Sequence, residues 1–286
     1  MQPVYSQAEC VDAIGDYYEF LAAMFMDPSF IITPPPSGWP SLNPPHLHSL
    51  RKTNAVLALM RNLPYIANKP YSDHPQVLPG CCAMDWTAVP VDTNPEGTLL
   101  MSQGDDELFG GRIPSRYLGL TWTSCPKDML LLDTKYGIVH WQACPEEILA
   151  SASPGPSFGD DDEEEEEEAE KRGDASDAES NADSSADSDA ASDDELDWGP
   201  CWPVMDFFEM LKNQFRDLNF VPKNSHQVID VWTTTHEDGH PIPPEDIKKA
   251  FGILSQAAEG ATSSTKPKNI KKGEGKKVDD ANPKEK

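Results

Sequence analysis

One stretch constrains the fold of this chain more than any other. Asp160 to Glu168 is an unbroken run of carboxylates, and the sequence then mixes Asp, Glu, Ser and Ala down to Asp197. Residues 160–197 carry 20 acidic and 2 basic side chains, so 18 of the chain's 26 net negative charges lie there. Its one large aliphatic residue is Leu196. Such a segment cannot bury enough apolar surface to offset its backbone entropy, and its charges repel one another. The sequence therefore predicts a disordered acidic insertion over residues 151–197, entered through Pro154-Gly155-Pro156. From about residue 259 to 286 the chain is Ser, Thr, Gly, Pro and Lys, which predicts a disordered Lys-rich tail.

Residues 1–150 and 198–258 remain, and together they suit one discontinuous domain. Ser6 and Glu9 have capping-box spacing, and behind them Val11, Ile14, Tyr18, Leu21 and Phe25 recur at helical steps as far as Asp27-Pro28. Seven prolines between residues 28 and 45 predict an extended, polyproline-like segment over the surface. Asn43-Pro44 reads as the start of a second helix whose buried face is Leu50, Val56, Leu57, Met60 and Leu63. Short apolar runs at Thr98–Met101, Leu118–Trp122, Met129–Leu132 and Ile138–Trp141 read as strands, the last two joined as a hairpin through Asp133 to Gly137. Beyond the acidic segment, Val204, Phe207, Phe208, Leu211, Phe215 and Leu218 mark a strongly amphipathic helix, and Pro244 opens a last one carrying Ile247, Phe251 and Leu254. The expectation is a single α+β domain, a small and mostly antiparallel sheet flanked by N- and C-terminal helices. Neither the early helices nor the Phe-rich one can be covered alone, so the two parts are expected to pack across the insertion.

Chemical signatures are sparse. His236-Glu237-Asp238-Gly239-His240 matches the zinc-protease string, which works only on a helix, and Asp-Gly followed by three prolines marks a loop instead. The six cysteines lack zinc-site spacing, and no secretory leader precedes them, so free thiols in the cytoplasm or the nucleus are expected. No phosphate-binding glycine loop or nucleophile elbow occurs. No run approaches the roughly 20 apolar residues of a membrane span, and the acidic balance argues against a nucleic-acid binder. No metal, cofactor or catalytic residue is assigned. Ser176, Ser180, Ser184 and Ser192 each have Asp or Glu three residues later and are candidate phosphorylation sites for an acidophilic kinase.

Two resemblances complete the reading. Phe30-Ile31-Ile32-Thr33-Pro34-Pro35-Pro36-Ser37-Gly38-Trp39-Pro40, with Leu50-Arg51-Lys52-Thr53 and Leu63-Pro64-Tyr65-Ile66, resembles a family of filamentous-fungal proteins of no assigned activity. Leu131-Leu132-Asp133 through Gly137-Ile138-Val139, then Phe207-Phe208-Glu209-Met210-Leu211 after the insertion, is similar to the strand–turn–strand–helix pattern of the SUKH superfamily. That likeness implies an α+β fold acting by binding other proteins. The functional expectation is a non-enzymatic protein-interaction module whose acidic insertion is phosphorylatable. Two alternatives stand beside it: an enzyme built on His140, Cys125 or Cys144 with nearby carboxylates, and an acidic chaperone of histones or other basic proteins.

Overall fold

The computed structural model describes residues 4–42, 47, 50–67, 74–89, 95–103, 113–123, 128–152, 154–155, 199–236 and 238–252. Helix α1 (Gln7–Met24) starts where Ser6 Oγ accepts the Glu9 N–H at 3.4 Å, and it buries Cys10, Ala13, Ile14, Tyr17, Tyr18 and Leu21. A 3₁₀ turn at Pro28–Phe30 leads into β1 (Ile31–Ile32), which pairs antiparallel with β2 (Tyr65–Ile66). The Pro-rich segment is thus a turn, a short strand and a strap. Trp39 fastens the strap, donating from Nε1 to Leu63 O at 2.8 Å and from its backbone N–H to Arg61 O at 2.9 Å. The second helix that the sequence predicts is broken at residues 51–53: Leu47 is helical, and helix α2 (Asn54–Asn62) begins afresh where the Thr53 hydroxyl accepts the Val56 N–H. Leu50 is buried ahead of that helix, and Asn43-Pro44 falls outside the described residues.

Two sheets carry the centre. Strands β3 (Gln76–Leu78), β4 (Cys81–Ala83) and β6 (Thr121–Thr123) form the first, and β5 (Tyr117–Gly119), β7 (Leu130–Asp133), β8 (Ile138–Trp141) and β9 (Cys201–Pro203) the second, in those orders and antiparallel throughout. The run Leu118–Trp122 is therefore two strands that change sheets at Leu120. There the Leu120 N–H donates to Leu130 O at 2.9 Å while its carbonyl accepts the Met84 N–H at 3.0 Å. A strand that switches sheets is how two small sheets turn a corner around one core. The β7–β8 hairpin closes as the sequence predicts, with Gly137 N–H donating to Asp133 O at 2.9 Å. Thr98–Met101 is a correction. It lies in helix α3 (Pro95–Gln103), which packs against β5. A four-residue apolar run fits either element, and Pro95 is a good first helical residue. Helix α4 (Glu146–Ser151) is a further element the periodicity does not reveal.

Helix α5 (Val204–Arg216) follows β9 directly and is the centrepiece of the core. Its Phe208 ring lies 5.2 Å from Tyr17 of α1, and Phe215 lies 6.0 Å from Phe20 and 6.1 Å from Phe25. Phe207 meets Trp141 and Trp202 of the four-stranded sheet at 6.3 and 5.8 Å. One hydrophobic cluster consequently takes residues from before and after the acidic segment. Strands β10 (Phe220–Pro222) and β11 (Val228–Asp230) form a hairpin, and α6 (residues 244–252) lays Ile247 against Val221 and Val231. Gln76 joins this hairpin to β3, donating its N–H to His226 O and accepting the Val228 N–H on Oε1, both at 2.8 Å. The fold is a single α+β domain, with its antiparallel pairing spread over four small sheets rather than one.

The rim of the α1–α5 interface is ionic. Lys212, itself buried, bonds Asp16 of α1 and, at 3.0 Å, Glu209; Arg216 reaches Glu209 at 2.5 Å and lies over the Phe20 ring. Hydrogen bonds from Arg216 and Lys212 hold the Glu209 carboxyl below its ordinary pKa. Burial pulls the Lys212 ammonium down, and its bonds to Asp16 and Glu209 more than restore it. A depressed carboxyl contributes stability above its unfolded pKa of about 4.3, and that stability is lost as pH falls through the folded value. Thermal melts should therefore fall in Tm below about pH 4.5. Glu209→Gln should flatten part of that slope while costing under about 1 kcal/mol at pH 7, because the pair is half exposed.

Candidate functional site

The acidic segment leaves and re-enters the fold at one place. Cys144-Pro145 follows β8, α4 runs from Glu146 to Ser151, and the chain reaches Gly155, whose N–H donates to Cys201 O at 2.7 Å. The returning chain is held from its other side, where the Trp141 N–H donates to Pro200 O at 3.1 Å. Residues 199–201 are thus clamped between the end of β8 and residue 155. Gly199 has φ +64°, and a Cβ there would lie 2.6 Å from Gln142 Cα. A side chain at that point must displace backbone. The described residues accordingly continue to 155, past the boundary at 150 that the prolines suggest; residues 156–198 lie outside them.

The same sheet places the titratable groups that the sequence singles out. In β8, Val139 and Trp141 face the main core, and His140 points to the opposite face, 4 % exposed, its ring 5.6 Å from Tyr117. Cys144 packs against the main core, the side away from His140, with Sγ 3.8 Å from Pro145 O. Cys125 lies outside the described residues, as do Ser176, Ser180, Ser184, Ser192, Leu254 and the Lys-rich tail. The register instead sets Cys201 beside His140 on the neighbouring strand. Sequence spacing cannot show that pair, because the acidic segment separates its members. On the same face Asp133 is 1 % exposed, accepting from Arg116 Nε at 3.1 Å and from the Lys135 N–H at 2.6 Å.

The thiols are poor nucleophiles where they stand. Burial pushes Cys144 up to about 12 and Cys82 up to about 11. Burial, with Asp133 nearby, takes Cys201 to about 11, and burial with Glu9 nearby takes Cys10 to about 12. A thiol that stays protonated at neutral pH neither attacks carbon nor binds metal readily. None of the five described cysteines is in a disulfide. Among the described residues, no group of three or more His, Cys, Asp or Glu is arranged to hold a metal ion. His236 to His240 is a tight turn, with the His236 N–H donating to His240 O at 2.8 Å and the Gly239 N–H to His236 O at 2.9 Å. That geometry cannot present the string as the zinc-protease helix does.

No family model matches the chain, and no curated protein or solved structure matches it either. Among the described residues no helix is long and apolar enough to cross a membrane. What this region offers is a rigid base, built from β8, β9, α4 and α5, from which a strongly charged segment departs.

Two substitutions test the base. Gly199→Ala combines a left-handed backbone with a backbone clash and should destabilise by about 2–4 kcal/mol. Gly155→Ala meets only ordinary contacts, at 3.4 Å from Cys201 O and 3.9 Å from Pro203 Cδ, and should stay within about 1 kcal/mol of the parent. Denaturant midpoints of the two variants provide the comparison. Asp133→Ala, which removes the buried carboxylate that accepts from Arg116 Nε and the Lys135 N–H, should cost about 3 kcal/mol in the same assay.

Proposed function

We propose that this chain is a non-enzymatic protein-interaction module, in which a compact α+β domain displays a phosphorylatable acidic arm to basic partner proteins in the cytoplasm or the nucleus. The observation that carries the proposal is the closed base. The Gly155–Cys201 bond lets the most highly charged part of the chain depart from the domain without interrupting its core. The thiol pKa values, raised by burial, support an interaction role over the alternative of a Cys/His enzyme.

The electrostatics give the arm its chemistry. A net charge of −18 over residues 160–197 attracts basic surfaces across roughly a Debye length, ~8 Å at physiological salt. Phosphate on Ser176, Ser180, Ser184 or Ser192 would add about −1.5 to −2 charges each, strengthening attraction without touching the core. Binding of this kind is salt-sensitive, and it raises association rate more than it lengthens residence.

The test compares the full chain with one in which residues 156–198 are replaced by a short Gly/Ser linker. Basic proteins cross-linked to the full chain at low salt should be lost from the linker variant and enriched after treatment with an acidophilic kinase. Recovery of the same proteins by both chains would refute the proposal. The linker variant should also melt higher. Shortening the loop about sevenfold removes closure entropy worth about 1.7 kcal/mol, or a few degrees in Tm.

A further inference from the structure

The turn that rules out the zinc-protease reading puts its two histidines in a different relation. Thr235 and Pro241 form an antiparallel bridge, the Ile242 N–H donates to Thr234 O at 3.1 Å, and the His236 N–H donates to His240 O at 2.8 Å. These bonds define a short hairpin with a three-residue loop. Its first part is a β-turn closed by Gly239 N–H to His236 O, and Gly239 at φ +83° supplies the left-handed position such loops require. Asp238 stabilises the turn, its Oδ1 accepting the His240 N–H at 3.1 Å. In this register His236 and His240 are directly opposed. Opposed residues of an antiparallel pair project from the same face, with Cβ atoms about 5 Å apart.

Both histidines are exposed. The hairpin follows the Asp230–Thr234 turn, where Asp230 accepts the Trp232 and Thr233 N–H groups, and its Ile242 packs with Ile247 of α6 against Val221 and Val231. The turn is therefore pre-formed, and two imidazoles need only choose rotamers to reach a common ion. Opposed imidazoles suit late first-row divalent ions, which prefer nitrogen donors. Carboxylate clusters such as the acidic segment suit Mg²⁺ and Ca²⁺ instead.

We propose that His236 and His240 form a two-imidazole anchor for a late first-row divalent cation such as Zn²⁺, Ni²⁺ or Cu²⁺, with the remaining coordination positions open to water or an exchangeable donor. Two protein ligands with open positions make a surface anchor that can exchange its other ligands, unlike a closed structural site. The anchor does not depend on the acidic arm or on its partners.

The test is titration of the full chain with Zn²⁺ in several millimolar Mg²⁺, which occupies carboxylates and leaves imidazoles free. Isothermal calorimetry supplies the affinity, and the imidazole proton signals identify the ligands. One site should appear whose affinity falls at least about tenfold in His236→Gln and equally in His240→Gln, with the two imidazole signals moving together in the parent. The exposed positions should leave Tm unchanged in both variants, so lost binding is not lost folding. Affinity unaffected by either substitution, or signals shifting at other histidines while these two stay still, overturns the proposal.

Discussion

The structure depends on the burial of α5 between α1 and the four-stranded sheet. Phe208 and Phe215 face one wall of that slot, Phe207 the other, and all three rings are nearly inaccessible to water. Full burial of a phenylalanine is worth up to about 3 kcal/mol. Three such rings on one 13-residue helix outweigh any surface ion pair in the molecule. Because α5 comes after the acidic segment while α1 and most of the sheet come before it, the segment can exist only if its ends meet at the domain. The bond between residues 155 and 201, the register of β9 on β8 and the tight passage at Gly199 all follow from that requirement.

Charge is partitioned along the same line. At the rim of the α1–α5 interface Lys212 meets Asp16 and Glu209, and within the sheet the buried Asp133 is matched by Arg116. Breaking such a pair leaves a charge that the interior cannot solvate. The unmatched negative charge is gathered into residues 160–197, between the described residues 155 and 199. An excess of that size distributed through the sheets would work against compaction. Concentrated in one insertion, it leaves the core neutral enough to pack.

Much of this was legible in the residues, and the failures have physical reasons. Helices α1 and α5 show long 3.6-residue periodicity with a matching cap or charge order, and the structure has them where the pattern puts them. The β7–β8 hairpin is legible from two apolar runs flanking Asp133 to Gly137. Thr98–Met101 is misread because four apolar residues carry no period, and the helix is identified only by Pro95 ahead of it. The separate start of α2 turns on one hydroxyl, that of Thr53, which apolar periodicity does not single out. The division into several small sheets, with Leu120 at the corner, is a property of pairing partners that local sequence does not encode. The neighbourhood of His140 and Cys201 is illegible for the same reason. It pairs residues that lie on either side of a long insertion.

The shared core is the claim on which the rest stands, and limited cleavage inside the acidic segment tests it most directly. A specific protease site placed among residues 160–197 and cut under native conditions should yield two fragments that co-elute as one particle and unfold in a single cooperative transition, because α5 remains locked between α1 and the sheet. Fragments that separate on a sizing column without denaturant, or that melt independently, would contradict the account.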